Sequence, residues 1–503
     1  VSCYELGHQP FSIASPWATL EAAGFGVAGI DASLDALDDA ALGRAELIAI
    51  SVPMLTALRL GIGVARRARA VHPRAHIALF GLYASLNAAY LLDAVADATI
   101  GGEFEQGLVD LAWAIDAEVE PLVVGGVTTR ASLRVVGAPS PPVLQRLPFV
   151  VPRRDALPKL DRYASLLGPT EGERRVVGYV ETSRGCLHTC THCPITPIYG
   201  GRFFVVPRDV VLADAEQQIA AGARHLTFGD PDFLNGVGHS LAIVRALHAA
   251  HPELTFDATI KVEHILEHRE RFAELALLGC LFIFSALESL SDRVLGELAK
   301  GHSRADITEA LAILDGAGIA LRPSFVAFTP WTTLDDYIEL CDFILDRELI
   351  DNVDPIQLAI RLLIPPGSAL LDTASPRPAW LGELVAEELG YAWAHPDPRM
   401  DTLFAGVAAI IEQATAAGED AAPTFLRIRD AAYRAAGRAA PERTAVSARR
   451  FVPKLTEGWF CCAEPSLAQQ RQVDERSDGA SCCSPAGKPG AEPSVVHDLE
   501  QRR

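Results

Sequence analysis

Apolar residues in the first part of the chain fall in short runs separated by stretches of helical spacing. The runs at 26–30, 47–51, 76–80 and 98–100 are four buried-type strands. Their alternation with helices predicts a doubly wound parallel sheet over residues 1–118. Ligands of such sheets lie beyond the carboxyl ends of the strands, here the loops beginning at Ser51, Gly81 and Gly101. Small residues there let a backbone approach a flat ligand.

From 119 to 174 the pattern is broken by Pro121, Pro139, Pro141, Pro142, Pro148, Pro152 and Pro158, which predicts an extended connector with a small hairpin near 128–136. Over 175–370 strand and helix alternate again. Strands are expected at 176–180, 225–228, 255–260, 281–285, 319–328 and 356–364, with helices at 208–221 and 306–317 among those between them. About six βα units make a partial TIM-type barrel, whose catalytic groups belong at the strand carboxyl ends. Residues 371–445 have helical spacing at 383–389, 403–416 and 424–436, and predict a helical cap on the barrel opening, with Trp380 and Trp393 as packing residues. Periodicity fades over 446–503, a flexible Cys-rich tail.

Composition narrows the function. A net charge of -20 disfavours nucleic-acid phosphates as the main partner, transfer RNA included. No apolar run is long enough for a membrane span, and Val1-Ser2-Cys3-Tyr4-Glu5 lacks a basic signal start, so a cytoplasmic protein is expected. Most of the 10 cysteines crowd into two short regions, which points to metal or redox chemistry in a reducing compartment.

The first region is the loop Gly185-Cys186-Leu187-His188-Thr189-Cys190-Thr191-His192-Cys193-Pro194. Its C-x3-C-x2-C thiols suit an iron-sulfur cluster with three irons capped and one open to a small molecule. The alternative is structural zinc with His188 or His192 as fourth ligand. Arg361, inside an apolar run, needs an anionic partner, either in an active site or in a buried ion pair.

At Cys186, Cys190 and Cys193 the chain resembles the radical SAM superfamily, whose signature is C-x3-C-x2-C after the first strand of a βα barrel. The resemblance implies a 4Fe-4S cluster on these cysteines and S-adenosylmethionine chelated to the open iron. Reductive cleavage would then give a 5′-deoxyadenosyl radical, with electrons from an external donor such as flavodoxin or ferredoxin. His192 would lie by the adenine, where an aromatic residue is usual. Gly229 and Asp230 would receive the methionine ammonium, and Ser285 and Glu288 would lie near the ribose and carboxylate. An Asp-Pro turn at Asp232, and Glu288 as a helix cap, are the plainer alternatives.

The first segment, with its Gly101-Gly102-Glu103-Phe104-Glu105 run, resembles the flavodoxin-like (Rossmann-type) domain of cobalamin-dependent radical SAM enzymes. That implies cobalamin as a second cofactor, with Ser51, Gly81, Gly102 and Glu103 on its binding face. The D-x-H-x-x-G motif is absent, and His8 is either a cobalt ligand or a core histidine. A domain that has lost its ligand is the alternative. The methylthiotransferase subfamily needs extra cysteines here, where only Cys3 is present.

Cys461-Cys462-Ala463-Glu464-Pro465 resembles the tail of CUAEP/CCAEP-tail radical SAM proteins, in which the second residue is cysteine or selenocysteine. This implies catalytic thiol chemistry at Cys462 in a selenoprotein homologue. From chemistry alone, Cys461, Cys462, Cys482 and Cys483 could close on one soft ion. The expected function is a radical SAM enzyme acting on an unknown small molecule or peptide, with methyl transfer if cobalamin is bound. The alternatives are a metal-handling or redox-sensing protein, and a maturase whose first domain docks a partner without cobalamin.

Overall fold

A computed structural model describes residues 1–119, 124–145, 148–170, 172–372, 376–442 and 451–457. Strands β1 (Leu47–Ser51), β2 (His76–Phe80) and β3 (Ala98–Ile100) form a parallel sheet, and β4 (Val127–Thr129) joins its edge antiparallel to β3. Ile77, Ala78 and Leu79 are all fully buried, because helices cover both faces, which is why β2 reads as an unbroken apolar run. The run at 26–30 is not a strand. Ser2 instead bridges Ser51 and Asp31, so the amino terminus extends the sheet past β1. The hairpin expected at 128–136 is also absent: Thr129 and Ser132 cap each other reciprocally and start the helix Arg130–Val136 directly after β4.

The second sheet begins with β5 (Ser165–Leu167) and β6 (Arg174–Val180), which pair antiparallel. A short ribbon of β7 (Ser183–Gly185) and β8 (Phe203–Val205) closes the base of the cysteine loop. Then β9 (His225–Phe228), β10 (Thr255–Thr259), β11 (Cys280–Glu288) and β12 (Ala320–Phe325) complete a six-stranded half-barrel in the order β12-β11-β10-β9-β6-β5. The strand expected at 356–364 is a 3-10 helix, Pro355–Ala359, followed by a single bridge from Arg361 to Phe328. Pro355 has no amide proton to give a ladder, and the Gln357 side chain accepts from Phe325 N in its place. The sixth strand of the sheet is thus β5, from the proline-rich segment.

The helix expected at 383–389 is a hairpin, β13 (Leu381–Val385) and β14 (Gly390–Trp393), turned by Leu389 at φ 63 and anchored where Trp393 Nε1 donates to Leu362 O at 2.8 Å. Helices Pro398–Ala417 and Ala421–Ala435 are present, capped by Asp397 and Asp420. Phe404 packs on Phe328, and Tyr433 donates to Asp342 of the helix Leu334–Asp346, so the two helices thicken the helical layer beside β12.

Candidate active site

The cysteine loop leaves the carboxyl end of β6 and is fastened on both sides. Gly185 has φ +77, and a Cβ there would stand 2.5 Å from Arg202 O and 2.6 Å from the Tyr199 ring, so only glycine fits. Leu187 N donates to Asn235 Oδ1 at 3.2 Å, and that oxygen lies 4.0 Å from Cys186 Sγ. Cys193 N donates to Cys190 O at 3.2 Å, and Thr191 N to Leu298 O at 3.1 Å. All three thiols are free. Burial pushes Cys186 up to about 11 and Cys193 up to about 12, so binding iron must expel their protons. Three thiols on one short, braced loop fit the three-cysteine donor set of a 4Fe-4S cluster.

Beside the loop, His192 Nε2 lies 3.2 Å and Lys300 Nζ 3.3 Å from Glu288 Oε1. Burial opposes ionisation of Glu288, but Lys300 first and His192 second bring the carboxyl down to about 2. Glu288 sits at φ 63, where β11 bulges against β12. It does not cap the next helix, because its carboxylate is turned to the lysine and histidine. Ser285, on the same strand, is buried, and its hydroxyl has no hydrogen-bond partner among the described residues.

Two residues expected at the methionine ammonium also have partners within the chain. Asp230 accepts from Thr182 N at 3.0 Å, Thr182 Oγ1 at 2.7 Å and Ser183 Oγ at 2.6 Å, so it braces the approach to the cysteine loop rather than presenting a free carboxylate. Burial raises it to about 6. Gly229 lies against Tyr179, whose hydroxyl would be 1.9 Å from an added Cβ. Arg361 is the ion-pair alternative: it donates to Asp401 Oδ1 and to Trp393 O, each at 2.8 Å, and stacks 3.7 Å above the Trp393 ring.

The residues singled out in the first sheet are also engaged within the chain. Ser51 Oγ lies 2.5 Å from Ser12 Oγ. The backbone of Val52 stands 3.2 Å from a Cβ at Gly81, and Val143 O 2.4 Å from one at Gly102. Glu103 is bound by Arg184 and Tyr199. His8 is buried against the Tyr179 ring, with centroids 4.9 Å apart. The glycines at these strand ends admit the protein's own backbone, and no pocket for a corrin is formed by these four residues.

Sequence reasoning missed Arg184, Asn235 and Lys300. Arg184, two residues ahead of Cys186, carries no signal of burial in the sequence, because its neighbours Glu181, Thr182, Ser183 and Gly185 are not apolar. Cys461, Cys462, Cys482 and Cys483 lie outside the described residues.

Residues 180–344 match the family model of the Radical SAM superfamily. A protein named as a methylthiotransferase in Methanocaldococcus jannaschii is 26% identical over 189 residues, 34% of this chain and 40% of the relative. The ribosomal protein uS12 methylthiotransferase RimO of Trichlorobacter lovleyi is 27% identical over 180 residues, 33% of this chain and 39% of the relative. The chain thus spans about two fifths of the length of these curated relatives. Cys3, the one thiol of the first 118 residues, is buried in the core. Among solved structures, the radical S-adenosylmethionine methyltransferase TsrM of Kitasatospora setae is similar with TM-score 0.57 and 17% identity, over 73% of each chain. The cobalamin-dependent S-adenosylmethionine radical enzyme OxsB with aqua-cobalamin is similar with TM-score 0.64 and 16% identity, over 82% of this chain and 65% of that one. With its cysteine loop, half-barrel and preceding parallel sheet, the chain carries a radical SAM domain over residues 180–344, in a fold shared with cobalamin-dependent radical SAM enzymes.

Proposed function

We propose that the chain cleaves S-adenosylmethionine reductively and directs the resulting 5′-deoxyadenosyl radical at a carbon of a small-molecule or peptide substrate, drawing electrons from an external flavodoxin or ferredoxin. The observation that carries this reading is the braced loop of Cys186, Cys190 and Cys193 at the carboxyl end of the first barrel strand, facing the Glu288, Lys300 and His192 cluster. Cys186, Cys190 and Cys193 would hold a 4Fe-4S cluster, which when bound would supply the electron for reductive cleavage of the sulfonium. The protein's own residues do the rest: Asn235 and Leu298 hold the loop in place, and Lys300 keeps Glu288 ionised as an acceptor for ribose hydroxyls. The His192 ring flanks the adenine side, and the Ser285 hydroxyl is an unspent donor on the same strand.

Methyl transfer through cobalamin is the finer reading, supported by the fold likeness to TsrM and OxsB. Ser51, Gly81, Gly102 and Glu103 are engaged within the chain, so a bound corrin would rest on other residues. Cys462 is the proposed thiol partner for a substrate radical. No helix among the described residues is long and apolar enough to cross a membrane, in keeping with a cytoplasmic setting for this chemistry.

The test is anaerobic reconstitution with iron, sulfide and cobalamin, followed by dithionite and S-adenosylmethionine and chromatography for 5′-deoxyadenosine. The reading expects nucleoside from the unmutated chain and none from the Cys186→Ala, Cys190→Ala, Cys193→Ala triple variant. Zinc without acid-labile sulfide, and no nucleoside, would favour a metal-handling protein. A corrin spectrum after desalting would support the methyl-transfer reading, and a colourless first domain would favour partner docking.

A further inference from the structure

His188, in the middle of the cysteine loop, points away from the thiols toward the ends of β9 and β10. Its Nε2 is 3.4 Å from Asp232 Oδ2, and the same carboxylate oxygen is 2.9 Å from His264 Nδ1, on the helix Val262–Glu267. The three ligand atoms all lie within 4.8 Å of one another. An ion about 2.1 Å from each of two such atoms holds them about 3.0 Å apart in an octahedron and about 3.4 Å apart in a tetrahedron. The two measured edges fall in the range that one ion bridging each pair allows.

Hydrogen bonding accounts for part of this arrangement: Asp232 Oδ1 accepts from Leu234 N at 3.0 Å and Oδ2 from Lys261 N at 3.4 Å. His188 Nε2 and His264 Nδ1 are both buried atoms without a hydrogen bond of acceptable geometry, although each is at ion-pair distance from Asp232. The side chains of His264 and Asp232 are 8% and 1% exposed, so neither is open to bulk solvent. Glu263 Oε2 stands 3.3 Å from His188 Nδ1 and is itself held by Lys261 Nζ. That carboxylate orients the ring with Nε2 toward Asp232, the placement found in carboxylate–histidine–metal relays.

We propose that His188 Nε2, Asp232 Oδ2 and His264 Nδ1 form a mononuclear site for a divalent first-row transition ion, zinc or ferrous iron, separate from the cluster on the three cysteines. Two imidazoles and one carboxylate suit such an ion and leave coordination positions for water or a substrate oxygen. Bound there, the ion ties the cysteine loop to the second and third parallel strands of the barrel.

The test uses the full-length chain with Cys186, Cys190 and Cys193 changed to alanine and Cys461, Cys462, Cys482 and Cys483 changed to serine, which removes cluster and tail thiols as competitors. After chelator treatment it is titrated with cobalt(II). One equivalent should bind, with weak visible ligand-field bands and no thiolate-to-cobalt charge transfer. His188→Ala, a loop substitution, should weaken binding about 100-fold or more and abolish the bands while the far-ultraviolet circular dichroism stays unchanged. Asp232→Asn should do the same. No stoichiometric cobalt in the parent, or equal binding by the parent and His188→Ala, would overturn the proposal.

Discussion

Arg184 Nη1 lies 2.9 Å from Glu103 Oε2, and this buried pair joins the strand that opens the cysteine loop to the loop after the third strand of the first sheet. The same guanidinium reaches Glu105 Oε1 at 2.8 Å and Glu181 Oε2 at 3.1 Å, and lies over the rings of Phe11, Phe104 and Phe149. Glu103, expected to meet a cofactor, is an interdomain anchor. The first sheet therefore fixes the place from which the cluster loop departs.

Removing Arg184 strands several carboxylates in a low-dielectric site. Arg184→Met should cost about 3–5 kcal/mol, read as a lower urea midpoint. Adding Glu103→Gln and Glu105→Gln should recover part of that loss, because the penalty belongs to the unpaired charges rather than to a missing net gain from the bridge. An Arg184→Met protein as stable as the parent would dismiss the anchor.

Glu288 gives a pH-dependent prediction. Its carboxyl is held at about 2 in the fold against an ordinary 4.5, so the native state binds fewer protons than the unfolded chain between those values. Its contribution is full above about pH 4.5 and is lost as the pH falls toward about 2. Glu288→Gln, which also leaves Lys300 buried without its counter-ion, should be less stable than the parent by about 3 kcal/mol at pH 7. The gap should shrink steadily in urea titrations repeated down to pH 3.

Much of this architecture was legible because local pattern and tertiary surroundings agree. His76–Phe80 is covered on both faces, and its unbroken apolar run says so. The cysteine loop was legible because ligand spacing survives any packing around it. The segment 356–364 has an apolar run as well, but Pro355 blocks a ladder and Gln357 replaces it with a side chain, a substitution that periodicity does not encode. Residues 383–389 have helical spacing, yet the anchoring of Trp393 on Leu362 turns them into a hairpin. Asp230 and Glu103 stand out in the sequence as acids near strand ends, but their partners within the chain do not. Thr182 and Arg184 lie 48 and 81 residues away from them, beyond what one sequence reveals.

Gly229 owes its place to Tyr179. A methyl group there would press into the phenol ring, with 2.0 Å to Cζ, and the ring is hemmed in by His8 and Phe11. Gly229→Ala should destabilise the protein by about 1–3 kcal/mol through overpacking. Combining it with Tyr179→Leu should return part of the loss, which a thermal melt of the four proteins in the cycle would show.

His8 separates the two readings of the first sheet's histidine. Burial holds its imidazole down to about 4 from an ordinary 6.5, and its ring rests on Tyr179, so the neutral form is built into the contact between the two sheets. Below about pH 6.5 the unfolded chain takes up a proton that the folded one refuses, so stability should fall as the pH drops from there to about 4. His8→Phe should keep the ring packing and flatten that part of the stability–pH curve. A core histidine also predicts that His8→Phe leaves the visible spectrum of a cobalamin-reconstituted protein unchanged. A shift of the corrin bands on this substitution would instead identify His8 as a cobalt ligand and require the contact with Tyr179 to open.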